Sequence, residues 1–255
     1  MSPLLAVTLN GFREARRNRI TVVVIFFAIA MIFSATVAID LTVFTFSRVI
    51  TDVGLGVMGL IANFLAIFLG TGQLPREIER RTIYMVASRP LSRGTFLLGR
   101  FLGNLLTVYF VIAVMSALFM IQLVLYREPI TQPLLAALAG LCLEVALVSA
   151  IGFAFATVSS QVISSLATTG LYFIGYLMPD IERLAVRSPS AFIRGLALTG
   201  TFVLPNFSRL DLKQRATYAV ATSVGELGQA LLYTAGYAAV VLVIASLLFE
   251  KRDFK

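Results

Sequence analysis

Length, composition and charge together exclude an ordinary soluble protein. The chain has 255 residues, of which 58% are hydrophobic and only 13% are charged, whereas about a quarter of the residues are charged in typical soluble domains. A globular core could not bury so much apolar surface, but a bilayer accepts apolar side chains on every outward face. The apolar residues form blocks of about 20 rather than short alternating runs. We therefore predict an all-α, membrane-spanning protein.

Missing residue types exclude several kinds of chemistry. The chain contains no histidine, which removes imidazole bases and most zinc sites, so we expect no metal site. No lysine follows a glycine-rich loop, and the GxxxxGK[ST] motif that binds nucleotide phosphates is absent. We therefore expect no catalytic residues, no enzyme activity and no cofactor in this chain. The net charge of +8 is more typical of loops facing anionic lipid than of a nucleic-acid binder.

Six apolar blocks are long enough to cross a hydrocarbon layer of about 30 Å. They predict one domain, 1–255, with transmembrane helices at residues 20–39, 53–74, 96–125, 134–158, 162–178 and 227–249. Before the first block, apolar residues within 1–19 share one helical face while arginines crowd the later turns, which predicts an amphipathic helix on the inner membrane surface. A large outer loop, 179–226, precedes the last span.

The distribution of basic residues predicts the orientation. Thirteen of the 21 basic residues, but only five of the 13 acidic residues, lie on the side of both termini, so the positive-inside rule places both termini in the cytoplasm. Within the outer loop, Ala191–Leu204 is semi-apolar but too short to cross, and we expect an interfacial or re-entrant helix there. A seventh span at this position is the alternative, but it would place the basic tail, 250–255, outside.

The loop between spans two and three, 75–95, has the pattern of a short charged helix. Pro75 suits a first helical turn, and Glu77 and Glu79 would then lie near the positive end of the helix dipole. Pro90 disfavours helical geometry in the residue before it, so the helix should stop there. Such a segment is either a connector kept basic for topology or a rigid helix that docks on a soluble partner.

Three runs in and after this loop resemble the coupling loop of ABC-2-type transporter permeases. The runs are Arg-Glu-Ile-Glu-Arg-Arg-Thr-Ile-Tyr at 76–84, Ser-Arg-Pro-Leu-Ser-Arg at 88–93 and Phe-Leu-Leu-Gly-Arg-Phe-Leu-Gly at 96–103. Within that family the loop looks most similar to bacterial permeases of the gliding-motility and nitrous-oxide-reductase-maturation kind. The six predicted spans and the large outer loop are also similar to that family.

The resemblance implies a permease that exports or delivers an unidentified substrate across the cytoplasmic (inner) membrane. It implies an ATPase partner in two copies that holds ATP and Mg, a second permease copy or paralogue, and surrounding membrane lipids. It also implies that the coupling helix contacts the ATPase through Glu77, Glu79, Arg80, Thr82 and Tyr84. A secondary transporter and an anchor or scaffold subunit of an envelope complex are the alternatives.

Glu144 is the acidic residue of greatest interest because it lies near the middle of the fourth predicted span. A carboxylate at that depth costs a few kcal/mol unless it is neutral or has a partner. It is either a cargo or proton contact in a translocation path, or a neutral carboxyl hydrogen-bonded to another helix. Tyr172 and Tyr176 are expected to be interfacial anchors near the outer end of span five, with a cargo role as the lesser possibility.

Small residues mark two places where helices can approach closely. One is the Gly99-x-x-x-Gly103 motif in span three, and the other is the row that includes Ala146 and Ala150 in span four. We expect both to serve helix packing, with a dimer seam as the alternative.

Overall fold

The described part of the chain consists of helices joined by short loops and turns. The computed structural model describes Leu5 and residues 7–9, 20–41, 46–79, 93–187 and 191–250. The helices are α1 (Ile20–Leu41), α2 (Phe46–Glu79), α3 (Arg93–Leu125), α4 (Gln132–Val158), α5 (Gln161–Arg187), α6 (Ala191–Val203), α7 (Lys213–Thr217) and α8 (Val224–Glu250), with a 3-10 turn at Phe207–Arg209. No strand occurs within the described ranges, and the all-α prediction is confirmed.

Five helices, α2, α3, α4, α5 and α8, are long and apolar enough to cross a membrane. They agree with the second to sixth predicted spans and confirm a multi-pass membrane protein. The described apolar part of α1 is the shorter segment Val24–Phe33, so the first span stays a prediction. α6 has 13 residues, which at 1.5 Å per residue give roughly 20 Å and are too few to span.

Two predicted helix boundaries are wrong, and both involve a proline. Pro75 does not begin a helix but lies inside α2, which continues to Glu79. Pro179 likewise lies inside α5, which continues to Arg187. A proline removes one backbone hydrogen bond, and a long helix held by tertiary packing survives that loss. The rest of the predicted coupling helix, 80–92, and most of the predicted surface helix at 1–19 lie outside the described residues.

Helix α4 forms the centre of the bundle. Most of its residues are buried, and it packs most extensively against α2 and α8. It is apolar all round, as a helix must be when its neighbours enclose it. One apolar cluster joins the end of α2 to the start of α3 and the end of α8 through Leu74, Phe96 and Phe249. We call this end of the bundle the basic end, because Arg93 and Arg100 of α3 lie there. We call the opposite end of the bundle the loop end, because it carries α6 and α7.

Backbone caps and an ion pair join α7 to α8 at the loop end. Two residues after the end of α7, Ala219 has a φ of 54°, and the next N–H, that of Val220, bonds to the Arg215 carbonyl at 2.8 Å. α8 begins with a capping box, in which the Glu226 N–H bonds to Ser223 Oγ at 3.2 Å and Glu226 Oε2 accepts from the Ser223 N–H at 2.9 Å. Arg215 also donates to Glu226 Oε2 at 2.7 Å. These contacts fix α7 to the start of α8.

Candidate functional site

A buried carboxyl group with three donors lies at the centre of the bundle. Glu144 of α4 is 4% exposed. Its Oε1 accepts from Asn63 Nδ2 of α2 at 2.9 Å, and from the hydroxyls of Tyr172 and Tyr176 of α5 at 3.0 and 2.8 Å. The Asn63 amide also donates to the Gly59 carbonyl at 3.0 Å. The carboxyl group therefore links three helices, as expected for a group that needs partners inside a membrane.

The two tyrosines are held in place by each other and by the 3-10 turn. Tyr172 and Tyr176 lie one helical turn apart, with ring centroids 5.1 Å apart. Phe207 contacts both, at 5.3 Å from the Tyr172 ring and 6.2 Å from the Tyr176 ring. Their hydroxyls bond to Glu144 rather than pointing to a membrane surface, so the assignment of both as interfacial anchors is wrong. Both tyrosines instead serve as hydrogen-bond partners of the buried carboxyl group, and a cargo role stays a prediction.

Two glycines let the segment between α6 and α7 lie directly on the bundle. A Cβ at Gly175 of α5 would lie 2.6 Å from the Pro205 carbonyl oxygen, and a Cβ at Gly140 of α4 would lie 2.5 Å from the Leu210 carbonyl oxygen. Only a residue without a side chain permits backbone contact at these distances. The segment from Pro205 to Lys213 is thereby placed over the Glu144 cluster at the loop end.

A cavity of about 520 Å³ adjoins the cluster. This size is typical of pockets for small organic molecules. The lining comes from α2, α4, α5 and the segment before α7, and includes Leu55, Gly59, Leu60, Asn63, Phe64, Ile67, Phe68, Leu141, Glu144, Thr169, Tyr172, Phe173, Tyr176, Leu210, Asp211 and Lys213. The walls are mainly apolar, and the polar groups are concentrated at the Glu144 cluster and at the rim.

The rim of the cavity carries charged residues of both signs. Lys213 Nζ lies 3.5 Å from Asp52 Oδ1 of α2, and both side chains are partly exposed. Asp211 is exposed, and its Oδ1 accepts from the Lys213 backbone N–H at 3.0 Å. The lysine side chain therefore pairs with a carboxylate, while the Asp211 carboxylate forms no ion pair with a described residue.

The cavity opens on the side of the bundle between α2 and α5. Leu60 and Phe64 of α2 are 71% and 59% exposed, and Phe173 of α5 is 62% exposed, yet all three line the cavity. In a membrane-spanning protein such a side faces lipid or another chain. A ligand can reach the Glu144 cluster by this route without crossing the core.

The other residues singled out from the sequence lie apart from the cavity. Gly99, Gly103, Ala146 and Ala150 are buried within the chain, which fits packing, and their role in a dimer stays a prediction. Glu77 and Glu79 lie in the last turn of α2, at the basic end. The coupling candidates Arg80, Thr82 and Tyr84 lie outside the described residues.

Sequence reasoning missed three residues of the site. Asn63 lies inside the second apolar block, and a polar amide at that depth is itself a signal, because it needs a partner in the membrane. Asp211 and Lys213 belong to the loop end, and their sequence neighbours give no sign that they return to α2. Their place at the cavity follows only from the close packing of the loop segment on Gly140.

The fold and the site define a class of protein: a multi-pass α-helical membrane protein with a polar cluster and a ligand-sized cavity inside its bundle. Comparison with protein families narrows this class to one family. The family described as ABC-2 family transporter protein matches residues 5–254, so the chain belongs to the ABC-2 transporter family. A comparison with curated proteins found no match.

Proposed function

We propose that the chain is the permease subunit of an ATP-binding cassette transporter and that it moves an unidentified substrate outward across the cytoplasmic membrane. The observation that carries this proposal is the family match over residues 5–254, because an ABC-2 permease implies a partner ATPase. We further propose two permeases and two ATPases in the working unit, with ATP and Mg held by the ATPases. The likeness of the coupling loop to gliding-motility and nitrous-oxide-reductase-maturation permeases supports an export or delivery role.

Both termini and the coupling segment lie in the cytoplasm in this proposal. The excess of basic residues on that side supports the orientation. Helix α2 then connects the two working parts, because it contributes Asn63 to the cavity and ends at Glu79. The two residues are 16 apart, which is roughly 24 Å at 1.5 Å per residue. A displacement of the coupling segment by the ATPase would be carried along one continuous helix to the Glu144 cluster.

Charge reversal in the coupling segment tests this function. The double variant Glu77→Lys and Glu79→Lys should insert normally but recover the ATPase poorly on co-purification. Losing the partner of a buried charged contact costs about 2–5 kcal/mol, which lowers affinity more than tenfold. The matched control is Asp180→Lys with Glu182→Lys, which reverses two carboxylates at the same spacing near the loop end of α5.

The control variant should recover as much ATPase as the wild type. Equal recovery and equal coupled ATP turnover for the Glu77 and Glu79 variant would show that the loop is only a connector. Failure of the wild type itself to recover any P-loop ATPase would instead support the alternative of an anchor or scaffold subunit.

A further inference from the structure

We propose that the cavity binds a hydrophobic organic monocation that carries N–H donors, such as a primary ammonium on an apolar body. Naming this ligand a cargo rests on the proposed function, whereas the binding site itself does not. The inference is drawn from the unused acceptors of the polar cluster, from the charge balance around the cavity and from the nature of its walls.

The polar cluster contains two acceptor atoms that receive no hydrogen bond from a described residue. All three hydrogen bonds to Glu144 reach Oε1, and no described residue donates to Oε2. Asn63 is 4% exposed and its Oδ1 has no partner. The orientation of this amide is fixed, because its Nδ2 faces two acceptors, Gly59 O and Glu144 Oε1. Buried acceptors are costly to leave unpaired, and both residues line the cavity. Glu144 Oε2, unlike Asn63 Oδ1, is not fully enclosed, so a ligand N–H group in the cavity can donate to it.

The charges around the cavity favour a cation. Among the described residues that line the cavity, Lys213 is the only basic one, and it pairs with Asp52 at 3.5 Å. Glu144 and Asp211 are then left without a positively charged partner among the described residues. A carboxylate whose oxygen already receives three hydrogen bonds can complete its coordination by a charge-assisted bond from an ammonium group. An anionic ligand would have to bind beside two carboxylates and compete with Asp52 for the lysine.

The walls fit an apolar, preferably aromatic, ligand body. Phe64, Phe68 and Phe173 line the cavity together with Leu60, and aromatic faces attract organic cations as well as apolar groups. A volume of about 520 Å³ accepts a ring system with a short chain. The opening between α2 and α5 lets such an amphiphile enter from the lipid side with its charged end toward Glu144.

Three fluorescent probes that differ only in the end group test the proposal. Dansylcadaverine ends in an ammonium group, and the comparison compounds have the same dansyl-pentyl body ending in a hydroxyl or a carboxylate. Binding is measured by dansyl fluorescence with the purified permease in nanodiscs. We expect the ammonium probe to bind more than about tenfold tighter than the hydroxyl probe, as for loss of a buried charged contact.

The variant Glu144→Gln identifies the recognising group. Glutamine keeps an oxygen for the tyrosine donors but places an NH₂ where the free acceptor stood, so the ammonium probe should lose more than about tenfold in affinity. Glu182→Gln is the matched control, because it neutralises an exposed carboxylate on α5 that does not line the cavity. It should bind all three probes like the wild type.

Several binding results obtained with the wild-type protein alone would overturn the proposal. They are equal affinity for the ammonium and hydroxyl probes, preference for the carboxylate probe, or no saturable binding of any probe. These measurements use no ATPase. Cation binding without ATPase co-purification would therefore overturn the proposed function alone, while ATPase co-purification without cation binding would overturn this inference alone.

Discussion

Gly175 gives the sharpest test of how the site is built. In Gly175→Ala the added Cβ would lie 2.6 Å from the Pro205 carbonyl oxygen, whereas ordinary contact begins at 3.4 Å. The 205–207 segment must therefore move by the difference, about 0.8 Å, and backbone cannot rotate away as a side chain can. Overpacking of this kind costs about 1–3 kcal/mol, which the better helix propensity of alanine offsets by about 1 kcal/mol. We expect a net loss of stability of up to about 2 kcal/mol.

Gly170→Ala is the matched control for this variant. Gly170 lies on the same helix, and a Cβ there meets nothing within 4 Å, so alanine should stabilise by up to about 1 kcal/mol. At about 2–4 °C per kcal/mol for a chain of this size, the two unfolding midpoints should differ by roughly 2–12 °C.

The assay follows from the composition of the chain. There is no tryptophan and only one cysteine, Cys142, which is partly buried. A thiol-reactive dye therefore reports heat unfolding through a single site, with all variants in the same detergent. Equal midpoints for the two alanine variants, or a midpoint for Gly175→Ala above that of the wild type, would refute the argument that this glycine seats the loop over the cavity.

Two further predictions concern topology and backbone strain. In a Cys142→Ala background, which keeps the backbone oxygen that accepts from Tyr109, single cysteines at positions 190 and 217 should both be labelled from outside; labelling from opposite sides would establish a seventh span. Ala219 has a φ of 54°, so Ala219→Gly should stabilise by up to about 1 kcal/mol. A lower midpoint of dye-monitored unfolding in that variant would contradict the expected strain relief.

The membrane helices could be predicted from the sequence because every helix facing lipid must have a continuous apolar block. The ends of these helices could not be predicted from the sequence. Pro75 and Pro179 each look locally like a helix boundary, but packing keeps both prolines inside longer helices. The coupling residues were recognised by resemblance, and nothing in the described geometry bears on their contacts with an ATPase.

The candidate site shows a different limit. Glu144 could be found from its chain position alone, since an acid in an apolar block is unusual. The hydrogen-bond partners of Glu144 could not be found in this way. Asn63 is 81 residues away in the chain, and its contact with Glu144 depends on which helices are neighbours. Periodicity indicates which residues share a face but not which helix that face meets. For the same reason Tyr172 and Tyr176 were placed at the membrane surface.

The connection between α4 and α5 has a consequence for how the cluster can open. It consists of only Ser159 and Ser160, so the two helices form a hairpin that carries Glu144 and both tyrosines together, whereas Asn63 belongs to a separate helix. Any sliding of α2 past this hairpin would break one of the three hydrogen bonds to Glu144 and keep the other two. The carboxyl group would therefore keep two donors during such a movement, whereas an isolated buried charge is far more costly.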